Sequence, residues 1–397
     1  MVTSQSSAGH LLHLIRSGKA NTRAALQQLT GLSRSTVGHR LDQLTGAGWI
    51  HEAGWQASTG GRPSTRLEFA HRHALVLTAD LEISHFQIAL TDLQGNIVAE
   101  RVDRQLLADG PEATLDHLAV RFAALLRDTE TPLEKICGIG LAVPGPVDWE
   151  TGRVVLPPIM PGWDGYPIAE RLRQSLAAHA GALSLEVPVL VDNDAHLMAY
   201  GEQRQHHPDS GAFVLVKVST GIGAGVIIDG RVYRGTDGGA GDIGHIRLHD
   251  RPDALCMCGS HGCLGAVASG RAVAAQLSEL GLTAESSGDV RTLLAKGQPD
   301  ALRLSRLAGR RCGEVLVTVI TLLNPGVLVL AGDLAEDQFL TGVRELLYQR
   351  ALPRSTRGLQ VVTSRLGDRA GLVGAGLTVV EHLYAPDRAD ARLRDSA

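Results

Sequence analysis

Three cysteines within eight residues, with a histidine nearby, are the strongest chemical signal in the sequence. Cys256, Cys258 and Cys263 follow the pattern C-x-C-x4-C, and His245 lies eleven residues before the first of them. Three thiolates and one imidazole favour a closed tetrahedral zinc site, because soft sulfur ligands select zinc over magnesium. We therefore expect one structural Zn²⁺ per chain on these four residues. Reduced surface cysteines are the alternative, and His261 is a weaker rival as the nitrogen ligand.

A basic N-terminal segment carries the second chemical signal. Residues 1–70 contain seven lysines and arginines against three acids, a net charge of +4, whereas the whole chain carries −4. A basic head on an acidic body is typical of a protein whose head alone binds nucleic acid. Chance clustering of surface charge would produce the same count, so the interpretation depends on how this segment folds.

The spacing of apolar residues in this segment predicts three short helices. Leu11 and Ile15 share one helical face, Thr22 can cap a second helix, and Ser33 can cap a third. Gly31 breaks the chain between the second and third helices, which is the pattern of a helix-turn-helix. A plain three-helix packing unit is the alternative.

The third helix and the residues after it carry the side chains that we expect to contact double-stranded DNA. Strands over 49–56 and 64–69 would flank a glycine-rich tip, so the head is predicted to be a winged helix. Polar or basic groups at the start of such a helix face base edges, and an arginine on the wing can enter the minor groove. The predicted DNA-binding residues are Arg34, Ser35, Thr36, His39, Arg40, Gly61 and Arg62.

The composition excludes several classes of protein. Hydrophobic residues make up 44% of the 397 residues and charged residues 20%, which is ordinary for a globular chain. The longest apolar run, over 315–323, is too short to span a membrane, and no secretory signal is visible at the N-terminus. We therefore expect a cytoplasmic protein without membrane association. Cys137 and Cys312 are expected to be ordinary buried thiols.

From residue 74 onward the sequence alternates between strand-like and helical segments. The first block has strands over 74–79, 85–91, 96–102, 136–143 and 187–191, with helices over 114–127 and 167–179. The second block has strands over 213–218, 224–228, 231–233 and 326–330. Two blocks of similar order predict an α/β fold of two lobes with a ligand cleft between them.

Six stretches of this body together resemble the ROK family of repressors, open reading frames and sugar kinases. They are Gly138-Ile-Gly-Leu-Ala-Val-Pro-Gly-Pro-Val-Asp148, Pro161-Gly-Trp-Asp164, Val191-Asp-Asn-Asp-Ala195, Ser219-Thr-Gly-Ile-Gly-Ala-Gly225, Ala240-Gly-Asp-Ile-Gly-His245 and Cys256-Met-Cys-Gly-Ser-His-Gly-Cys-Leu264. The head makes the chain similar to the winged-helix repressor branch, with its xylose-, N-acetylglucosamine- and glucose-type regulators. The resemblance implies an α/β fold in which an N-terminal winged helix-turn-helix precedes a two-lobed actin-like, hexokinase-like ATPase-type domain. The family's zinc ligands fall on the same four residues as above.

The resemblance covers nearly the whole chain and suggests its division. We expect a winged helix-turn-helix DNA-binding domain over 1–70, a first lobe over 71–200 and a second lobe with the zinc loop over 201–384. The charged, small-residue-rich segment 385–397 is expected to be a flexible tail.

The resemblance also implies a sugar site. An Asn-Asp pair and the acid and histidine of a glycine-rich stretch bind sugar hydroxyls in the family, and here they are Asn193, Asp194, Asp242 and His245. In the kinases the Asp of the pair is the catalytic base. This chain has the shorter Asp242 in place of Glu, and Gly265 and Ile159 in place of a Glu and an Asn. Taken alone, Asn193-Asp194 could equally be a turn.

The first phosphate loop departs from the kinase pattern. The kinases carry Asp-x-Gly-Gly-Thr there, because bare backbone must approach the phosphates. This chain has Asp80-Leu-Glu-Ile-Ser84, which brings the charge of Glu82 and the stiff Ile83 to the triphosphate position. The second loop, Ser219-Thr-Gly-Ile-Gly223, is intact. We expect no catalytic residues and no enzyme activity.

The sequence thus predicts a sugar-responsive repressor of carbohydrate metabolism genes whose kinase-like effector domain has lost ATP binding. Its expected partners are operator DNA, a small sugar effector and a second copy of the chain, as a homodimer or homotetramer. Two alternatives remain open: an active ROK sugar kinase with a DNA-binding head, and a regulator controlled by a protein partner rather than a sugar.

Overall fold

Three helices and a two-stranded sheet form the N-terminal head in the computed structural model, which describes residues 7–56, 64–104, 107–181 and 187–395. The elements are α1 (Ala8–Arg16), α2 (Arg23–Thr30), α3 (Arg34–Gly46), β1 (Ile50–Gln56) and β2 (Ser64–Phe69). Thr22 and Ser33 cap α2 and α3, accepting the N–H groups of Ala25 and Thr36. The predicted helix-turn-helix and its two wing strands are confirmed. The wing tip, with Gly61 and Arg62, lies outside the described residues.

The body contains two five-stranded sheets of matching topology. The first is built from β3 (Leu75–Leu81), β4 (His85–Asp92), β5 (Ile97–Arg104), β6 (Ile136–Val143) and β9 (Val189–Asn193), in the order β5-β4-β3-β6-β9. The second is built from β10 (Ala212–Val218), β11 (Ile222–Ile228), β12 (Arg231–Val232), β13 (Val327–Ala331) and β14 (Gln360–Thr363), in the order β12-β11-β10-β13-β14. In each sheet, the first three strands in this order pair antiparallel to one another, and the last two are parallel to the third. The predicted two-lobed α/β fold is confirmed.

Helices cover both faces of the sheets. The short strands β7 (Val147–Asp148) and β8 (Arg153–Val154) pair with each other in a separate two-stranded sheet. The helices of the body are α4 (Pro111–Asp128), α5 (Ile168–Ala180), α6 (Asp194–His206), α7 (Leu264–Ala268), α8 (Gly270–Glu279), α9 (Ser287–Ala295), α10 (Pro299–Leu323), α11 (Asp337–Arg350), α12 (Pro353–Thr356), α13 (Ala370–Tyr384) and α14 (Pro386–Asp395). Because the central strands have helices on both sides, β6 and β13 are buried along almost their whole length. None of the described helices is both long enough and apolar enough to cross a bilayer.

Helix α13 joins the two lobes and the head. It packs against β3 and β6 of the first sheet and against α6, although the expected boundaries place it with the second lobe. A Cβ atom on Gly374 would lie only 1.8 Å from the carbonyl oxygen of Leu197, so the close crossing of α13 and α6 requires a glycine there. At its far end, Tyr384 is fully buried in a core shared with α1, α3 and β2.

The expectation of a flexible tail after residue 384 is wrong for residues 386–395. These residues form α14, which packs on α1 of the head. The N–H of Gly9 donates to Asp390 Oδ1 at 2.7 Å, and the Arg392 guanidinium lies 5.0 Å from the Trp49 ring centre and 4.8 Å from that of Tyr384. The charged composition suggested fraying, but the arginine covers aromatic faces and the segment gains packing from them.

Candidate functional site

A cavity of about 160 Å³ lies between the two lobes. Asn193, Asp194, Asp242 and His245, the residues predicted to bind a sugar, all line it, and Glu82 lines it from the first lobe. Cavities for drug-sized ligands begin at roughly 300 Å³, so this one suits a single small molecule. The structure therefore brings the predicted polar residues together around one space.

Asn193 and Asp194 stand where β9 ends and α6 begins. The Asn193 Oδ1 accepts the N–H of His196 at 3.2 Å, which caps α6, and its Nδ2 donates to the Gly145 carbonyl at 3.1 Å. Both hydrogen bonds of the Asn193 side chain are thus made to backbone groups, as expected if Asn193 and Asp194 form a turn. An amide oxygen has a second lone pair, so Asn193 can still accept a hydroxyl.

Lys217 ties the two lobes together at this cavity. It lies on β10, is only 6% exposed, and donates from Nζ to Asp194 Oδ2 at 2.6 Å and to Glu82 Oε1. Glu82 follows β3 of the first lobe, whereas Asp194 begins α6. One buried ammonium therefore pairs with Asp194, a predicted sugar-binding residue, and with Glu82 of the first lobe.

Burial and charge shift the ionisation of this cluster. Burial raises the pKa of Glu82, and raises that of Asp80 well above its usual range, although the Lys217 charge opposes both shifts. Burial alone would lower the pKa of Lys217, but Asp194 and Glu82 outweigh it and the pKa lies well above the ordinary value. Lys217 therefore stays charged. Asp80 favours its neutral form, and its Oδ1 has no hydrogen-bond partner among the described residues.

A second group of charged residues links the first lobe to the second. Arg234 donates from Nε and Nη2 to Asp192 Oδ2 at 2.9 and 2.7 Å, and its guanidinium lies 3.8 Å from the centre of the Trp149 ring. Asp192 also faces His196 Nδ1 at 3.3 Å, and His196 Nε2 lies 2.8 Å from the Ala240 carbonyl. The loop that carries Asp242 is thereby anchored to α6.

This network shifts two pKa values in opposite directions. Burial works to raise the pKa of Asp192, but its bonds to His196 and Arg234 outweigh burial, and the pKa is lowered. Burial works to lower the pKa of His196, but Asp192 and the Ala240 carbonyl outweigh it, and the pKa is raised. The pair therefore favours an ionised carboxylate beside a protonated imidazole. Burial raises the pKa of Asp242 as well.

The zinc-loop residues meet at one point. The ligand atoms of His245, Cys256, Cys258 and Cys263 all lie within 4.8 Å of one another. The Sγ atoms of Cys258 and Cys263 are 3.9 Å apart, and Cys256 Sγ is 3.8 Å from His245 Nδ1. Two zinc–sulfur bonds of about 2.3 Å at a tetrahedral angle separate the sulfurs by about 3.8 Å, so the four atoms fit a zinc ion. Among the described residues, the histidine of this group is His245 and not His261.

Five of the seven predicted DNA-binding residues lie on the first two turns of α3. Arg34, Ser35 and His39 are exposed, while Thr36 and Arg40 are half-buried. The hydroxyls of Ser35 and Thr36 lie 2.8 and 2.9 Å from that of the cap residue Ser33. Arg40 Nη1 donates to Gln43 at 3.1 Å, and its Nε has no partner in the described part of the chain. The polar edge of α3 is therefore available to a ligand.

Sequence reasoning missed three cations of the folded body, Lys217, Arg234 and Arg271. Lys217 interrupts the apolar run Val214-Leu-Val-Lys-Val218, and a lysine inside a buried strand is a signal that needs a partner. Arg234 and Arg271 carry no comparable signal, because Arg234 lies in a loop after β12 and Arg271 lies at the start of α8. Only the folded chain places them beside Trp149 and the cavity.

Comparison with known proteins agrees with this geometry. The ROK family profile matches residues 77–381. The xylose repressor of Bacillus subtilis is 28% identical over 380 residues, covering 94% of this chain and 94% of its own. The solved structures include a ROK family transcriptional regulator described as a homolog of the E. coli MLC protein, which matches with a TM-score of 0.79 and 26% identity over 98% of this chain and 99% of its own.

A kinase of similar fold matches the body alone. The ROK family glucokinase from Streptomyces griseus, solved in complex with glucose and AMPPNP, has a TM-score of 0.63 and 25% identity, covering 76% of this chain and 98% of its own. The match to the regulator includes the head, whereas the match to the kinase leaves about a quarter of the chain uncovered. Since the family profile also spans most of the sequence, this chain belongs to the ROK family and has the architecture of its transcriptional regulators.

Proposed function

We propose that this protein is a sugar-responsive transcriptional repressor of carbohydrate metabolism genes. The head binds operator DNA, and a small sugar in the cleft controls that binding. The observation that carries the proposal is the joint core of head and body: Trp49 and Phe69 of the head pack on Tyr384, the last residue of α13. Helix α13 also packs on the sheet that carries Asp80 and leads to Glu82. A change at the cleft therefore has a continuous packed route to the head.

Operator binding rests on the exposed edge of α3 and on the charge of the head. Arg34, Ser35 and His39 are exposed at the end of the helix that meets base edges in helix-turn-helix proteins. Thr36 and Arg40 flank them, and Gly61 and Arg62 would reach the minor groove from the wing. The xylose repressor is named for the same kind of function, which supports this assignment.

The body is proposed to sense its ligand without using ATP. Glu82 and Asp194 both pair with Lys217, so a triphosphate would have to displace a buried ion pair and approach Glu82. Breaking one partner out of a buried pair costs about 3–5 kcal/mol. About 1.4 kcal/mol corresponds to a factor of ten in affinity, so ATP binding would be weakened by at least two orders of magnitude.

The zinc loop is proposed to hold one structural zinc per chain on His245, Cys256, Cys258 and Cys263. With Nδ1 of His245 on the metal, its other nitrogen is left for a sugar hydroxyl, so metal loss would damage the effector response as well as stability. Cys258→Ser should lower the zinc content from about one per chain to well below half, as measured by elemental analysis. Cys137→Ser, which changes a thiol far from the loop, should leave zinc unchanged. Equal zinc in Cys258→Ser and parent would remove the assignment.

The test of the proposed function begins with mapping of the genomic sites that the full-length protein occupies. A labelled fragment of one such site is then used in fluorescence anisotropy, with and without a panel of hexoses, pentoses and amino sugars. We expect nanomolar binding that weakens steeply with salt and that one sugar weakens by at least fivefold. Tight operator binding that no small sugar alters would favour control by a protein partner, for which Gly265 and Ile159 are the supporting features.

An active sugar kinase with a DNA-binding head is the second candidate. The intact loop Ser219-Thr-Gly-Ile-Gly223 lines the cavity, and Asp194 stands at the base position. A coupled ADP-release assay over the same sugar panel separates the two functions. Turnover above background that disappears in Asp194→Asn would establish the kinase and overturn the loss of ATP chemistry.

A further inference from the structure

Glu381 of α13 is shared by two arginines from different parts of the molecule. Its Oε2 lies 3.5 Å from Nη2 of Arg16 on α1 and 3.8 Å from Nη2 of Arg204 on α6. Arg16 belongs to the N-terminal head, whereas α6 begins at Asp194, which lines the cleft. One carboxylate therefore links the head to the helix that starts at the proposed effector site.

The head depends on this carboxylate because Arg16 is buried. The Arg16 side chain is only 13% exposed, and its guanidinium lies 5.5 Å from the ring centre of Phe69 and 5.7 Å from that of Tyr384. Its Nη1 donates to the Tyr384 carbonyl, at the end of α13, at 2.9 Å. Burial lowers the pKa of Arg16, and among the charges that oppose this shift Glu381 is the strongest. A buried guanidinium needs a counter-charge, so a displacement of Glu381 destabilises the present position of α1.

The pair of Arg204 and Glu381 is sensitive to the angle between α6 and α13. The two helices touch at Gly374, where a Cβ would lie 1.8 Å from the Leu197 carbonyl oxygen. Arg204 and Glu381 both lie beyond this contact, toward the C-terminal ends of their helices. Glu381 is about 10 Å along the helix from Gly374, so a rotation of about 10° around the contact moves it by roughly 2 Å. Such a movement is enough to break or tighten an ion pair at 3.8 Å.

The response that this bridge has to carry is small. A fivefold change in operator affinity corresponds to about 1 kcal/mol, which is what one partly exposed ion pair can supply. We infer that Glu381 couples the cleft to the head: a sugar at Asp194 shifts α6, Arg204 moves relative to Glu381, and Glu381 repositions Arg16 and α1. Glu381 is thus a positioning residue that contacts neither sugar nor DNA. The coupling rests on the proposed function, because it presupposes that a sugar in the cleft controls operator binding.

The first experiment measures the effect of xylose, glucose and N-acetylglucosamine on operator affinity, by fluorescence anisotropy on the full-length protein and its variants. Glu381→Gln should bind the active sugar within about twofold of the parent in calorimetry, but the effect of that sugar on operator affinity should fall from at least fivefold to below twofold. Glu381→Asp, which keeps the charge on a shorter side chain, should retain part of the effect. Glu279→Gln makes the same charge change on an exposed glutamate of α8 and should respond like the parent.

A second experiment needs no sugar. Hydrogen exchange of the α1 amides, followed by mass spectrometry, measures how firmly the head is held. Arg204→Gln on α6 should raise exchange in α1, although the ion pair that it removes is made to α13. In Glu381→Gln, where exchange in α1 is already raised, adding Arg204→Gln should have no further effect.

The two experiments separate the coupling from the proposed function. An undiminished sugar effect in Glu381→Gln would overturn the coupling and leave the proposed function standing. Exchange in α1 that Arg204→Gln does not change would also overturn it, whatever the sugars do. If exchange shows the coupling but none of the three sugars alters operator affinity, the bridge is supported and control by these sugars is contradicted. If Glu381→Gln melts more than a few degrees below the parent, Arg204→Gln replaces it in the first experiment, and an undiminished effect there overturns the coupling.

Discussion

Lys217 determines what the cleft can hold. Its ammonium is buried against two carboxylates from different parts of the chain, Asp194 and Glu82, and a third carboxyl, Asp80, lies near enough for its pKa to respond. Removing the ammonium leaves acids that must take up protons to remain buried. A single charge at one position therefore governs both the stability of the cleft and its affinity for anions.

Lys217→Met should lower the melting temperature by several degrees, because it strands two buried carboxylates at a cost of about 3–5 kcal/mol. The triple variant Lys217→Met, Glu82→Gln, Asp194→Asn removes the charges together and should recover part of the loss. Differential scanning calorimetry at pH 7 measures both. A Lys217→Met protein as stable as the parent would contradict the importance of the ion pairs, whereas recovery in the triple variant would support it.

His196 should contribute a pH-dependent part of the stability. Its pKa is raised in the folded chain by Asp192 and the Ala240 carbonyl against the opposing effect of burial, while Arg234 and Asp242 are the other charges nearby. A raised pKa stabilises the fold fully below the unfolded value of about 6.5 and loses that contribution as pH rises through the folded pKa. The difference in melting temperature between parent and His196→Gln should therefore shrink from pH 6 to pH 9. A difference that stays constant over this range would contradict the proton on His196.

At the scale of single elements, α3 is expected to carry operator recognition. Arg40→Ala should weaken operator binding about tenfold and flatten the dependence of log K on log salt by about one unit if Arg40 contacts a phosphate. Arg62→Ala on the wing is expected to weaken binding mainly through the minor groove. Arg23→Ala on α2, where Arg23 pairs with Glu52 at 3.5 Å, is the matched control and should change binding little. Unchanged affinity in both Arg40→Ala and Arg62→Ala would refute this docking.

Helix α14 secures the head through one close contact. A Cβ atom on Gly9 would lie 2.1 Å from the Pro386 carbonyl oxygen, so Gly9→Ala must push α14 away from α1. We expect a loss of stability of about 1–3 kcal/mol, seen as a lower melting temperature. Gly38→Ala in α3, where a Cβ meets nothing within 4 Å, is the control and should be neutral or slightly stabilising. Equal melting temperatures for the Gly9 variant and the parent would contradict the close packing of α14 against Gly9.

The elements with strong local signals were predictable from the sequence. Thr22 and Ser33 mark helix starts by side-chain capping, and the strand Ile136–Val143 has the bounds that its apolar run indicated. Cys256, Cys258 and Cys263 are close in sequence, so their meeting in space could also be expected. These features depend on neighbouring residues and need no knowledge of the rest of the fold.

Features that depend on distant residues were not predictable in the same way. The charged sequence after Tyr384 suggested a loose tail, but Arg392 finds the rings of Trp49 and Tyr384, one of which lies far away in the sequence. Lys217 meets Glu82 across 135 positions, and Arg234 meets Trp149 from the other lobe. Local composition carries no information on such pairings, which only the packed lobes bring together.

At the scale of the whole molecule, a repressor of this design is expected to bind paired operator half-sites as a symmetric oligomer. Size-exclusion chromatography with light scattering should give a mass of two or four times the 42.0 kDa of the chain. Footprinting should reveal two protected half-sites related by symmetry, and the effector should alter affinity for the pair more than for an isolated half-site. A monomeric mass at micromolar concentration together with a single protected half-site would contradict this arrangement.

The burial of Tyr384 in the core of the head limits which chimeras of such regulators can fold. Trp49, Phe69 and His73 all pack on this one ring, which belongs to the body by sequence position. A head cut off after residue 70 would expose the faces of Trp49 and Phe69 to water, and a different body joined to it would offer no ring in place of Tyr384. Chimeras that exchange the DNA-binding heads of such regulators should therefore fold only when helices α13 and α14 are exchanged together with the N-terminal segment on which they pack.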